Sequence, residues 1–295
     1  MTDASTAPPD PQAAETKKTG PNTSTVTLKK LGAKLPLGIL NGDGTYSGDI
    51  AVRPWRMKEE RELGELRDSH RDGNVAQYVG MVLATMCTKL GPHNFEGMKF
   101  EERRIIVGQM YMGDVFYAYI WLRIQAMGHQ LNMNLTCPNC ERKFPFVADL
   151  ESTEVIAADN LKDAKWEYKL HTPIKLRDTM VKSLLIGPAR WNGLEMMSKE
   201  GGGMNTGAAK AGIIVSSIVG FPELKDKDGN VQPLVLADTE LDEMVKRDIE
   251  ALTTLIDDHA LGPNMAIEDR CKKCRKDFKL PIDWGFDSFF ADSSP

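Results

Sequence analysis

The sequence contains no run of about 18 consecutive apolar residues, so no segment has the length of a membrane-spanning helix. The longest candidates, near residues 115–122 and 213–219, fall well short. The first 25 residues, MTDASTAPPDPQAAETKKTGPNTST, lack the apolar stretch of a secretory signal, and a soluble protein made and used in the cytosol is expected. There is no large excess of either charge. Lys plus Arg number 37 and Asp plus Glu 42, a net charge of −5, which argues against bulk electrostatic attraction to nucleic acid while allowing a local basic patch. Glycine (25) and proline (16) stay near ordinary usage, which excludes a collagen-like or wholly disordered chain. Cysteine is scarce and odd in number; five cysteines without an export signal do not make a disulfide framework. Catalytic signatures are also missing: there is no HExxH, G-x-S-x-G, Walker or Rossmann motif, and the five histidines are scattered. These absences shift the expectation from an enzyme to a structural or interaction protein.

What is present is enough apolar material for a core, 41% of 295 residues, distributed in patterns that read as mostly helical. Residues 1–25 are expected to be a disordered arm. TVTLKKL from Thr25 suggests a short strand, and Asn41-Gly42-Asp43-Gly44 a turn between extended pieces. MKEERELGELRDSH reads as a helix with a solvated face. Asn74 caps a second helix whose apolar stripe (Val75, Val79, Val82, Met86, Leu90) is stopped by Gly91-Pro92, with Cys87 beside it as a small buried hydrophobe. Helices are expected from about Glu101, from Asp114 to Met127, and near 176–186, 208–219 and 241–259. The last begins at Asp238 or Thr239 and is preceded by a hairpin tipped by Asp228-Gly229-Asn230. Gly201-Gly202-Gly203 and Gly207 suit a flexible connector, because no Walker spacing follows them.

Four of the five cysteines carry the chemistry. Cys137-Pro138-Asn139-Cys140 and Cys271-Lys272-Lys273-Cys274 both continue as C-x-x-C-x-x-x-F-x-(F/L), with Phe144 and Phe146 in one copy and Phe278 and Leu280 in the other. Two cysteines three apart on a tight turn aim both sulfurs at one centre, and two such turns complete a four-thiolate Zn2+ site with Zn–S about 2.3 Å. The alternation after each pair supplies hairpin strands, which together make a zinc ribbon. A redox CxxC would instead be a single pair opening a helix. The separation is unusual, since residues 141–270 lie between the pairs whereas a compact ribbon holds about 15–20. Either a helical domain is inserted into the ribbon or each pair binds metal alone. One shared site is favoured, because His129 and His259 are not spaced as further ligands.

The expected fold is therefore mainly α with short β elements (α+β), built as a discontinuous four-cysteine zinc ribbon with a helical insertion. The expected segments are a disordered arm (1–25), a strand and helix region (26–136), two ribbon halves (137–150 and 266–284), a helical insertion with a hairpin (151–265) and an aromatic tail (285–295). Zinc held by Cys137, Cys140, Cys271 and Cys274 is expected to be structural, because four thiolates leave no open position. Six basic residues between 270 and 279 either offset the charge of that centre or touch nucleic acid; the second is disfavoured, since few aromatics are interleaved. Trp284, Phe286, Phe289 and Phe290 crowd the C-terminus and either dock on a partner or fold back on the chain's own core.

One combination resembles a known family. Arg53-Pro54 leading into Glu59-Glu60, the knuckle Cys137/Cys140, the second knuckle Cys271/Cys274 and the terminal Phe289-Phe290 are similar to the baseplate hub assembly family of contractile-tailed phages, the T-even-type baseplate proteins, over roughly residues 45–290. The resemblance implies a non-enzymatic component or assembly factor of the baseplate hub. It also implies contacts with other tail baseplate or hub proteins, no membrane, and a place in the virion tail after assembly in the host cytoplasm. The alternative is a zinc-ribbon nucleic-acid-binding accessory or regulatory protein.

Overall fold

The computed structural model describes residues 23–69, 74–158, 161, 164–176, 178–195, 206–224, 231 and 241–290. Strand β1 (Thr23–Thr27) leads into one turn of helix, α1 (Leu28–Leu31), and then β2 (Lys34–Leu40) and β3 (Tyr46–Val52). Asp43 shapes the β2–β3 turn by accepting from the Thr45 backbone N–H and hydroxyl at 2.9 and 2.6 Å. Helix α2 (Met57–Ser69) buries Leu63 and leaves most of its charges in water. Helix α3 (Val75–Met86) starts on the Asn74 side chain, which accepts from the Gln77 amide at 2.7 Å. It ends earlier than its apolar stripe suggests. Cys87 is already extended, and β4 (Cys87–Leu90) pairs with β3, so Leu90 belongs to a strand and Gly91-Pro92 turns that strand into β5 (His93–Asn94).

Helices α4 (Phe100–Gln109) and α5 (Met112–Met127) follow, then the hairpin β6 (Gln130–Thr136) and β7 (Lys143–Asp149). Strand β8 (Glu154–Ala158) returns to pair with β1. Next come the long hairpin β9 (Trp166–Leu176) and β10 (Thr179–Ile186), helices α6 (Trp191–Glu195) and α7 (Thr206–Ser217), and β11 (Ile218–Gly220) on the edge of β10. Helix α8 (Lys246–Asp258), β12 (Gly262–Pro263) beside β8, the hairpin β13 (Ala266–Arg270) and β14 (Asp277–Pro281), and the short α9 (Phe286–Phe289) complete the order.

This is not the mainly α fold with a helical insertion that the sequence suggests. Among the described residues 39% are helical and 35% are in strands, arranged in several antiparallel sheets. The clearest correction is 176–186, read as a helix and found to hold the last residue of β9 and, from Thr179, β10. In TMVKSLLI the burial alternates through Thr179–Ser183 and is then nearly continuous, and over so short a run the helical and extended periods are hard to tell apart. Helix α8 starts at Lys246, and Gly207 lies in the first turn of α7. The hairpin tip at Asp228-Gly229-Asn230, the helix start at Asp238 or Thr239, Gly201-Gly202-Gly203 and residues 1–22 of the expected arm lie outside the described residues.

The largest core gathers α3, α5, the first sheets and the two ribbon hairpins around Val79, Leu83, Met86, Tyr117, Tyr119 and Trp191. A second cluster joins β9, β10, α7 and α8. There the buried Asp248 accepts from the Tyr168 hydroxyl at 2.8 Å and from His171 Nδ1 at 2.7 Å, tying α8 to β9. Backbones cross closely where α5 meets β12: a Cβ on Gly113 would stand 2.1 Å from the Leu261 carbonyl oxygen, and one on Gly262 would stand 2.4 Å from the Gly113 Cα. Only glycine fits at both positions.

Helix α5 is anchored at its first turn by Asp114, which is fully buried. Its two carboxylate oxygens accept from the backbone N–H groups of Leu37 and Gly38 on β2, each at 2.9 Å. Burial pushes the Asp114 carboxyl up to about 7, against the downward pull of the two amides. A native value above the unfolded one means that the folded chain keeps a proton which the unfolded chain releases. This contribution therefore favours folding below about pH 4 and is lost as pH rises through 7. Asp114→Asn presents one acceptor to two amides and is expected to cost ~1–3 kcal/mol in denaturant titration. The stability of the parent relative to this variant should fall between pH 5 and pH 8, within the window set by the raised value; a flat difference would show that Asp114 stays ionised throughout.

Candidate metal centre

Each knuckle is the loop of a β-hairpin. β6 and β7 pair from Gln130↔Asp149 to Thr136↔Lys143, leaving residues 137–142 as the loop. β13 and β14 pair from Ala266↔Pro281 to Arg270↔Asp277, leaving 271–276. The loops share their internal bonds. The Cys137 amide donates to the Arg142 carbonyl at 2.9 Å and the Glu141 amide to the Cys137 carbonyl at 2.9 Å; the Cys271 amide donates to Lys276 at 3.0 Å and the Arg275 amide to Cys271 at 2.8 Å. The residue after each second cysteine takes the left-handed conformation, with φ 57° at Glu141 and 59° at Arg275. The short sequence repeat is thus a structural repeat.

The two loops bring all four sulfurs within 4.8 Å of one another. Cys137 Sγ lies 3.8 Å from Cys274 Sγ, and Cys140 Sγ lies 3.8 Å from Cys271 Sγ. A disulfide would need about 2.05 Å. The edge of a tetrahedron with arms of about 2.3 Å is about 3.8 Å, so the spacing suits a tetrahedral four-thiolate metal site. Backbone N–H groups of Cys274 and Lys273 pull Cys271 down to about 6. At Cys140 the Arg142 amide acts in the same direction, but burial and the three neighbouring sulfurs outweigh it and push the thiol up to about 11. Four thiols so close cannot all ionise alone; a divalent cation removes that conflict. Phe144 and Phe278 meet edge to face at 5.9 Å beside the sulfurs, and Cys137, Cys271 and Phe278 are part of the main core. Cys87 is buried in α3's neighbourhood, apart from this group, with its thiol pushed up to about 12 by burial.

The C-terminal aromatics leave the ribbon directly and pack on the chain's own core. The Ile282 amide donates to Met265 at 2.9 Å. Trp284 meets Phe116 at 5.4 Å and Trp191 at 6.1 Å. Phe289 is fully buried and stacks on Tyr119 at 5.0 Å, while the half-buried Phe290 lies 4.9 Å from Trp55. Partner docking therefore does not suit Phe289, because its ring is already spent inside; the side chain of Phe286 lies outside the described residues.

Arg123 fixes this arrangement. Although it sits in an apolar, aromatic helix, it is fully buried, and its Nε donates to the Phe289 carbonyl at 2.9 Å. Its two terminal nitrogens donate to Gly128 at 2.7 Å and Gln130 at 3.0 Å. One guanidinium thus joins α5, the start of the first ribbon hairpin and α9. Neither Arg123 nor Asp114 stands out in a motif search; the available signal is a charge on each end of an otherwise apolar helix, GDVFYAYIWLRIQAM.

With the geometry in view, comparison with known proteins decides the family. A family model described as T4 bacteriophage base plate protein matches residues 33–218. The chain belongs to this family. No curated protein and no solved structure matches it. The match includes Arg53-Pro54, Glu59-Glu60, Asp114, Arg123 and the first knuckle, and stops before the second knuckle and the terminal aromatics. Membership makes this a phage baseplate structural protein of the virion tail that works among other phage structural proteins, and it suggests a non-enzymatic role. Among the described residues no helix is long and apolar enough to cross a membrane.

Removing the chain after Asp283, or changing Arg123→Ala, should destabilise the isolated protein by ~3–5 kcal/mol, the first by emptying an aromatic site and the second by orphaning the buried Phe289 carbonyl and cutting the ties to Gly128 and Gln130. Denaturant unfolding of the two variants checks this. An unchanged midpoint for the truncated chain would mean that Trp284 and Phe289 contribute nothing to its own core.

Proposed function

We propose that the chain is a structural or assembly component of the hub of a contractile-tail baseplate, that it acts through protein–protein contacts, and that Cys137, Cys140, Cys271 and Cys274 together hold one structural Zn2+. The family match supports the baseplate part of this reading. The observation that carries the zinc part is the pair of 3.8 Å sulfur separations across two knuckles with the same backbone bonds. Four thiolates saturate the ion, so its contribution is to clamp the two hairpins together and stabilise the fold. Of the C-terminal aromatics whose side chains are described, Trp284 and Phe290 are only half-buried and keep part of their rings exposed for a partner.

Purified protein should contain about one zinc per chain by elemental analysis. Replacing any one of the four cysteines by Ser should remove most of it, together with at least ~2 kcal/mol of stability. Cys87→Ser should leave the zinc content intact. A fragment carrying a single knuckle that retained a full equivalent of zinc would contradict the shared site. The hub assignment is checked by locating the chain in a cryo-EM map of tails and of baseplate assembly intermediates; a position away from the hub in both would overturn it.

A further inference from the structure

Six cations stand without an ionic partner at the tip of the ribbon. Arg142 and Lys143 close the first knuckle, and Lys272, Lys273, Arg275 and Lys276 occupy the second; all six residues are exposed. Among the described residues none of the six forms an ion pair, whereas the nearby Arg270 and Lys279 are engaged by Asp277 and Glu268 at 3.7 and 2.7 Å. The meeting of the four sulfurs gathers both sets around one rigid point.

Neutralising the metal centre does not use them up. Zn2+ with four thiolates carries two negative charges, and the exposed Glu141 and Asp269 add two more, which leaves about two of the six cations uncompensated. Two kinds of anionic macromolecule would supply the missing charge. Single-stranded nucleic acid is poorly served: Phe144 and Phe278 face each other, Phe278 is buried, and neither knuckle presents a ring on which a base could stack. The net charge of −5 also opposes a long phosphate backbone laid across the molecule. A short acidic protein segment fits better, because Arg142 and Arg275 offer planar forks for carboxylates, the lysines offer point charges, and the clamped turns are already ordered before binding.

We infer that the basic ribbon tip is a docking site for an acidic segment, with at least about two carboxylates, of another baseplate protein. This rests on the baseplate reading above and names the kind of partner that reading leaves open.

The test titrates full-length, zinc-loaded protein with a fluorescent hexaglutamate peptide and, separately, with short DNA as a single strand and as a duplex, at low and at physiological salt. The parent is compared with a Lys272→Glu, Lys273→Glu, Arg275→Glu, Lys276→Glu variant and with a Lys169→Glu, Lys175→Glu control on exposed positions of β9. Zinc content and melting temperature are recorded for each; should the reversal lower either, the four-Gln variant replaces it. The expected result is peptide binding at least ~10-fold weaker in the tip variant and unchanged in the control. Equal peptide affinity in parent and tip variant overturns the site, and tighter binding of either DNA than of peptide reassigns it to nucleic acid. Tail incorporation separates this proposal from the one beneath it. Parent present in assembled tails or their intermediates with the tip variant depleted supports the site. Equal incorporation overturns the site and leaves the baseplate role standing, and absence of the parent from both overturns the baseplate role itself.

Discussion

Two Cys-x-x-Cys turns, with residues 141–270 between them, meet at a single point, and the path of the chain is organised by that closure. Closing so long a loop sounds expensive, yet chain-entropy scaling makes it only about 2 kcal/mol costlier than closing a compact ribbon. A saturated thiolate site is worth far more than that. The limiting demand is geometric: the intervening chain must return to its starting place. It does so by lending strands to the body it left. β8 pairs with β1 from before the first knuckle, β12 pairs with β8, and β12 crosses α5 at Gly113 and Gly262. The segment between the knuckles is thus stitched to the rest of the protein at several points besides the cysteines.

Helix α5 receives those stitches. Asp114 fixes its first turn to β2 through two backbone amides, and Arg123 fixes its last turns to the ribbon and to α9 through three backbone carbonyls. Both side chains are fully buried, and both direct their hydrogen bonds to main-chain groups. The apolar middle of the helix supplies packing energy, and the two charged residues supply position. A core built only of Val, Tyr, Leu and Ile at these places would be as well buried but less particular about register and docking angle.

The cysteine pairs were the most legible part of the sequence, because ligand spacing is a local property and both copies repeat it. Most helices were legible for a similar reason: α2, α3, α5 and α7 carry stripes or caps that need no tertiary information. The strands were not. β10 has an apolar run short enough to fit either period, and its extended state is decided by pairing with β9, a partner the local pattern does not reveal. Leu90 followed the helical stripe of α3, yet the sheet claimed it through β3. The C-terminal aromatics posed the opposite difficulty. Their need for burial was evident, but the groove that receives them is assembled from Trp55, Phe116, Tyr119 and Trp191, which come from separate parts of the chain.

That groove is filled by a segment 166 residues downstream of Arg123. Phe289 stacks on Tyr119 and accepts from Arg123 through its carbonyl, so a buried guanidinium depends on a residue made 166 positions after it. During synthesis the second knuckle and α9 emerge long after α5 and the first knuckle. Until they are released from the ribosome, Arg123 lacks one acceptor, Tyr119 lacks its stacking partner and two cysteines lack the other pair. A chain that stops before residue 271 has an open aromatic groove and an incomplete thiol set, features that holdase chaperones and proteases act upon. Only a polypeptide that extends through α9 closes this core, so shorter copies are marked out before assembly.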